Sequence, residues 1–246
     1  MMTKIDAFVY TSPGGRPVNE DFCRFETGDG RSCFVVADGL GGHDKGEIAS
    51  ELAGNYMMEQ IENMKEITGE ALFTALTGAN QSVIEGQQEY PGMRTTIAAA
   101  AVENGKLWEC HVGDSRVYLF KNRCLYYQSR DHSVVQLSAE MGDISPAQIR
   151  HHPDRSKLLK VLGNEEELKI PRQPEPMGLE AGDAFLLCTD GFWDYVWETE
   201  MEADLVKSEN PEEWIIFMVK RLLLKAPADH DNFTVAAGMV QSVSKV

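Results

Sequence analysis

The sequence predicts an α+β fold in which two mainly antiparallel sheets pack face to face and helices cover the outside. Three observations predict it. Hydrophobic runs of strand length come in clusters joined by hairpin turns, not in regular β-α-β alternation, which argues against a parallel doubly wound sheet. Several of these runs are apolar throughout, as expected of strands buried on both faces. Helical periodicity is confined to two consecutive segments near the start and more near the end. A length of 246 residues with 43% hydrophobic residues fits one domain, residues 1–246, with a substantial core.

The elements follow in order. Ile5–Tyr10 and Phe22–Glu26 read as strands. Ser32–Ala37 is apolar throughout, so it is expected at the centre of a sheet. Gly46 to about Met64 reads as a helix, with Ile48, Leu52, Tyr56 and Ile61 recurring near the helical period. About Glu70 to Gln87 is a second helix, with Leu72, Leu76 and Val83 inward. Thr95–Glu103 and Lys106–Val112 form a hairpin across Asn104-Gly105, the strongest short-range hairpin signal. Arg116–Phe120 and Cys124–Gln128 form another across Lys121-Asn122-Arg123. Val134 to about Leu162 is polar, with short helical pieces, and reads as an insertion or flap at about 140–165. Ala184–Cys188 and Phe233–Val240 are strands, and Met201–Lys207 and Glu212–Leu224 are helices. Trp214, Phe217, Met218 and Leu222 mark the second of these helices. There is no internal repeat and no Pro/Ser-rich linker.

Composition narrows the class. The formal net charge is −16, from 39 acidic and 23 basic residues, so the surface repels nucleic acid and anionic membranes. Most of that charge serves solubility; part of it suits a carboxylate site. The five cysteines, Cys23, Cys33, Cys110, Cys124 and Cys188, are odd in number and form no Cys-x-x-Cys pair. Cys33, Cys110 and Cys188 lie in apolar runs and read as small buried hydrophobes. This pattern fits a reducing cytosol. Met1 to Tyr10 carries Asp6 and no long apolar stretch, so it does not read as a signal peptide. No segment is long enough to span a membrane, and a cytoplasmic protein is expected.

Chemistry concentrates in four short acidic segments: Arg16-Pro17-Val18-Asn19-Glu20-Asp21, Val36 to His43 with Asp38-Gly39 within it, Thr189-Asp190-Gly191, and Asp231-Asn232. Three of them follow or lead a predicted strand. Alone, each Asp beside Gly or Asn is an ordinary turn residue. Three carboxylates at strand ends are harder to explain that way, because a fold that brings those ends together would build a cluster. Hard carboxylates with no His or Cys among them suit Mg²⁺ or Mn²⁺, not Zn²⁺. One bridging Asp can hold two divalent ions about 3.5–4 Å apart, acidify a water between them and neutralise phosphate oxygens. The backbone carbonyl of Gly39 is a further oxygen donor. Arg16 presents a planar fork that matches two phosphate oxygens, although a lone loop Arg is more often solvated. His132, His151 and His152 lack a His-x-x-x-His spacing and have no nearby Cys, which disfavours a Zn site. Asp131-His132 is expected to cap the following helix or position the flap. The chain therefore reads as a metal-dependent hydrolase acting on phosphate.

These segments, with Arg94-Thr95-Thr96, Gly113-Asp114-Ser115-Arg116, Arg130-Asp131-His132-Ser133, Cys188-Thr189-Asp190-Gly191 and Asp231-Asn232-Phe233-Thr234, resemble the metal-dependent Ser/Thr protein phosphatases of type 2C in their bacterial form. The motifs stand in the family's order and cover nearly the whole chain. The resemblance implies a four-layer α-β-β-α sandwich flanked by helix pairs. It implies hydrolysis of phosphoserine and phosphothreonine by a metal-bridging hydroxide, with two core Mn²⁺ or Mg²⁺ ions and a third, weaker one. Asp38 would bridge the core ions, Gly39 would offer its carbonyl to one, and Asp190 and Asp231 would complete the other. Glu20 would hold metal-bound water, supported by Asp21. Arg16 would bind the substrate phosphate, and Asp114 would share the third ion with Asp190. The implied partners are phosphorylated Ser/Thr proteins and a cognate Ser/Thr kinase, with no nucleic acid and no membrane.

Two positions depart from the family. Leu40 stands where some members carry a leaving-group His, so a water on the third ion is a candidate acid; His43 is expected to brace the loop. Arg94 stands where Gly is usual. Two other readings compete with the phosphatase: a non-catalytic relative that binds phosphoproteins, and a nuclease or small-molecule phosphomonoesterase. Retention of Asp38, Asp190, Asp231 and Arg16 disfavours the first. The negative charge disfavours a nuclease but leaves a small phosphoester open.

Overall fold

A computed structural model describes residues 2–28, 30–41, 45–165, 168–170, 172–173 and 175–244. Among them run strands β1 (Met2–Ser12), β2 (Asp21–Thr27) and β3 (Arg31–Leu40), then helices α1 (Gly46–Asn63) and α2 (Gly69–Gly86). Next come β4 (Arg94–Thr95), β5 (Ile97–Glu103), β6 (Lys106–Val112), β7 (Arg116–Lys121), β8 (Cys124–Gln128), α3 (Val134–Met141) and a 3-10 turn at Pro146–His151. The chain closes with β9 (Met177–Gly178), β10 (Ala184–Cys188), α4 (Asp190–Trp193), α5 (Glu198–Lys207), α6 (Pro211–Lys225) and β11 (Phe233–Ser244).

Two sheets form. One has the order β1-β11-β10-β7-β8, the other β2-β3-β5-β6-β9, with β4 paired to β3. Every strand pairing within them is antiparallel. The period of two in a strand explains the layers. Phe34 and Val36 on β3 face Val117, Leu119, Phe185 and Leu187 in the core between the sheets. Their neighbours Val35 and Ala37 face outward onto Met57, Met58, Leu72 and Leu76 of α1 and α2. On the opposite side, Tyr118, Phe120 and Leu186 meet Trp193, Trp214, Met218 and Leu222 beneath α4 to α6. Four layers result, α-β-β-α, as expected. No helix among the described residues is long and apolar enough to cross a membrane.

Several local expectations need correction. β3 does not stop at Ala37; it continues through Asp38 and Gly39 to Leu40, because β4 pairs Thr95 with Gly39 and Arg94 with Leu40. Arg94 itself is exposed. On α1 the inner face is Ala49, Ala53, Met57 and Ile61, while Leu52 is exposed. Small residues take that face because the helix lies close to the sheet: a Cβ on Gly54 would sit 2.1 Å from the Phe22 ring. Cys110 is only partly buried. Asp131 and His132 do not cap α3; the Ser133 side chain does, accepting from the Gln136 N–H. His43 lies outside the described residues.

Candidate metal centre

The topology carries the acidic segments to one end of the sandwich. β2 starts at Asp21 directly opposite Asp38 on β3. β10 ends at Cys188 opposite Val235 of β11, so Thr189-Asp190 and Asp231-Asn232 emerge side by side; Thr189 N–H donates to Thr234 O at 3.1 Å. Glycines allow the closest approaches. A Cβ on Gly39 would lie 2.2 Å from Gly46 O, and one on Gly191 would lie 2.0 Å from Asn232 O. The β3 end therefore touches the start of α1, and the β10 end touches the start of β11, with no room for a side chain.

Asp38, Asp190, Asp114 and Asp21 form the inner cluster. Desolvation, and then the other carboxylates, push the Asp38 carboxyl well above the usual carboxylate range. Asp114, 4% exposed, is raised likewise by desolvation and then by Asp190 and Asp131. Asp190 is raised by desolvation and by Asp231, with a hydrogen bond to the Asp38 carboxyl acting against the rise. Asp21 is pushed up to about 7 by desolvation, although the Thr189 hydroxyl donates to its Oδ2 at 2.9 Å. Its Oδ1 is buried and has no partner. Crowded carboxylates with raised proton affinity, together with an orphaned buried oxygen, are the signature of a site short of positive charge. The donors are all hard oxygens, so the set fits Mg²⁺ or Mn²⁺. Mg²⁺ keeps several waters, so few protein ligands suffice. Among the described residues, no three His, Cys, Asp or Glu side chains stand as a ready-made ligand shell.

Asp231 and Arg16 form the rim. Arg16 Nη2 donates to Asp231 Oδ2 at 3.1 Å, with each side chain 53% exposed. Asp231 thus bonds to an arginine while its charge still bears on Asp190, Asp38 and Asp21. Glu20 is half-buried, and its carboxyl is raised by desolvation, then by Glu47 and Asp231. Its carbonyl accepts from Gly39 N–H (3.1 Å) and the Ser50 hydroxyl (2.6 Å).

Among the described residues, the histidines do not converge on a metal site. His132 stacks on His111, while His151 packs near Trp197.

Sequence reasoning missed the residues that hold the site together. Asn232 is a hub: its Oδ1 accepts from Glu20 N–H at 2.8 Å, and its Nδ2 donates to Pro13 O and Val18 O at 2.9 Å each. It ties the whole 13–20 loop to the start of β11. Arg116, buried over the Trp193 ring at 3.5 Å, grips Asp131 with two bonds of 2.7 Å. Trp193 Nε1 in turn donates to Asp114 O at 2.8 Å. Segment 140–165 lies against the body through Arg150–Glu198 at 2.6 Å and an Arg155–Asp194 ion pair. The motif residues were visible in the sequence, but these partners lie tens to hundreds of positions away and carry no local signal.

Comparison with known proteins agrees with this architecture. The protein phosphatase 2C family model matches residues 15–226. The chain is 34% identical over 221 residues to a serine/threonine phosphatase, stp, of Listeria monocytogenes, covering 86% of this chain and 85% of that one. It is 31% identical over 206 residues to the protein phosphatase PhpP of Streptococcus pneumoniae, covering 80% and 81%. The crystal structure of the serine/threonine phosphatase Stp1 from Staphylococcus aureus superposes with a TM-score of 0.86 at 27% identity, over 98% of this chain and 96% of that one. The catalytic domain of the serine/threonine phosphatase PstP, solved with two manganese ions, gives 0.81 at 25% identity, over 98% and 100%.

Proposed function

The chain belongs to the protein phosphatase 2C family, and we propose that it hydrolyses phosphoserine and phosphothreonine in proteins with the help of two divalent cations, Mn²⁺ or Mg²⁺, and a third, weaker one. The observation that carries this reading is the group Asp38, Asp190 and Asp114, whose carboxyls are desolvated and crowd one another so that each is raised above its ordinary range. Bound there, the ions would supply Lewis-acid stabilisation of the phosphate oxygens and a bridging water acidified to hydroxide as nucleophile.

The chain's own residues divide the remaining work. Asp38, near the end of β3, would hold the pair, with the Gly39 carbonyl beside it. Asp190 and Asp231, at the ends of β10 and β11, would hold the second ion. Asp114 would share the third with Asp190. Glu20 would orient water, with Asp21, held by Thr189, behind it. Arg16 takes the phosphate dianion, exchanging Asp231 for it. The substrates on this reading are phosphorylated Ser/Thr proteins, the products of a Ser/Thr kinase.

The test is phosphate release from a phosphothreonine peptide with Mn²⁺, beside p-nitrophenyl phosphate, each with and without EDTA. Release from the peptide that EDTA abolishes and Mn²⁺ restores is expected. Release from p-nitrophenyl phosphate alone would make the chain a small-molecule phosphomonoesterase.

A further inference from the structure

A cavity of about 590 Å³ lies apart from the carboxylate cluster, lined by the edge strands of both sheets and by α3. β8 is the outer strand of its sheet. β6 is covered by β9 only at Lys106 and Leu107, so from Glu109 onward its outer edge has no strand partner among the described residues. The volume is that of a small-molecule site.

The polar groups of the interior are already engaged with one another. Glu109 accepts the Tyr127 hydroxyl at 2.7 Å and meets His111 Nδ1 at 3.1 Å. The other nitrogen of His111 faces Arg130 O at 2.9 Å. Burial disfavours the imidazolium, but the Glu109 carboxylate and Arg130 O outweigh it and raise the His111 pKa, so the two side chains form one hydrogen-bonded pair. Asp131 is cancelled by Arg116.

An occupant therefore meets three things. The first is aromatic: Tyr127, and the rings of His111 and His132, stacked 4.8 Å apart with planes 13° from parallel. The second is apolar: Leu137 and Leu159, 47% and 51% exposed. The third is cationic: Arg130, Lys160 and Arg172, against Glu140 as the one lining carboxylate not paired in the interior. Arg172 is already paired with Glu70 at 3.1 Å, and Arg130 is only loosely engaged by Glu140 at 3.5 Å with its side chain 78% exposed. On a chain of net charge −16 this is a local concentration of basic side chains.

We propose that this cavity binds a planar aromatic anion of nucleotide size, its ring against the phenol and imidazole faces and its charge at Arg130 and Lys160. The same wall is the back of the Asp114 turn. His132 N–H donates to Gly113 O at 2.8 Å, and Gly113 N–H donates to His132 Nδ1 at 3.3 Å. Gly113 has φ +98°, and a Cβ there would lie 2.6 Å from Thr96 Cγ2. Contact with the His132 ring is thereby passed to the residue next to Asp114. Any effect on turnover rests on the phosphatase reading above; binding does not, so binding is what the experiment reads.

The experiment is a ¹⁵N-amide NMR titration of the Mg²⁺-loaded protein with cyclic AMP, a phosphodiester that a phosphomonoester hydrolase leaves intact. Cyclic AMP is expected to move the signals of His132, Gln136 and Gly113. Adenosine and inorganic sulfate, each lacking half of the recognition, should bind about tenfold more weakly or worse, and Arg130→Glu should weaken cyclic AMP by a similar factor. Lys160→Glu, in a second segment of the wall, should do the same. The proposal is overturned if cyclic AMP moves no signal there, if it moves only signals around Arg16 and Asp231, or if both variants bind it as the wild type does. Occupation of the cavity by a phosphopeptide but not by cyclic AMP would also overturn it, making the cavity a polypeptide groove.

Discussion

Arg16 and Asp231 hold each other across a half-exposed rim, and such a pair contributes little to stability. Its importance on this account is positional. Arg16→Ala should leave the fold and Mn²⁺ binding intact and lower kcat/KM on a phosphothreonine peptide by about 10- to 100-fold, the size of one or two charge-assisted hydrogen bonds. An unchanged kcat/KM would make Arg16 a solvated loop residue. Asp114 should behave differently. It is buried, and Trp193 fixes its carbonyl, so it is held for more than a turn. Asp114→Ala should keep two ions and lose more turnover on the alkyl phosphate of the peptide than on p-nitrophenyl phosphate, whose leaving group needs little protonation. Equal losses on both substrates would count against a role in leaving-group protonation. The carboxylates were legible in the sequence because an Asp beside Gly or Asn at a strand end is a local pattern. Asn232 as a hub and Thr189 as the support of Asp21 were not, because a hydrogen bond across 212 or 168 positions leaves no local trace.

At the scale of elements, close backbone approach sets the site. Gly39 at the end of β3 lies against Gly46 at the start of α1 so tightly that a Cβ on either would clash. Gly39→Ala should therefore lower stability by about 1–3 kcal/mol, as overpacking does, and weaken Mn²⁺ binding at the same time; thermal melts with and without Mn²⁺ check both. A melt indistinguishable from wild type would show that α1 can shift freely. The longer strands and both hairpins were legible, because their apolar runs and the Asn104-Gly105 turn obey a period that needs no tertiary knowledge, whereas the two-residue β4 and β9 were not. The phase of α1 was not. Its inner face is built from Ala49, Ala53 and Gly54, chosen for closeness to the sheet, while the larger Leu52 and Tyr56 turn toward α2, where Tyr56 meets Gly78. A stripe read from the larger side chains follows Leu52 and Tyr56 to the flank and passes over the small residues at Ala49, Ala53 and Gly54.

The whole molecule gathers acid at one end of a sandwich whose net charge is already −16. In the absence of cations that arrangement has a cost with a definite sign. Asp21 titrates near 7 in the folded chain instead of 3.8, and Asp38 and Asp114 are raised well above their ordinary values. The folded state then keeps protons that the unfolded chain releases, so stability falls as pH rises from about 4 to about 7 and beyond. Metal-free protein should melt at a lower temperature at pH 7.5 than at pH 5, and Mg²⁺ should raise the melting temperature more at pH 7.5. A metal-free melting temperature that is flat or rises over that range would contradict the cluster. The most direct measurement pairs Mn²⁺ calorimetry with phosphate release from a phosphothreonine peptide, on the wild type and on Asp38→Ala. The account predicts at least two ions and EDTA-sensitive turnover in the wild type, and loss of the bridged pair with a fall in turnover of about a thousandfold or more in the variant, the scale of several kcal/mol of transition-state stabilisation. Full turnover by Asp38→Ala with its ions still bound would contradict it.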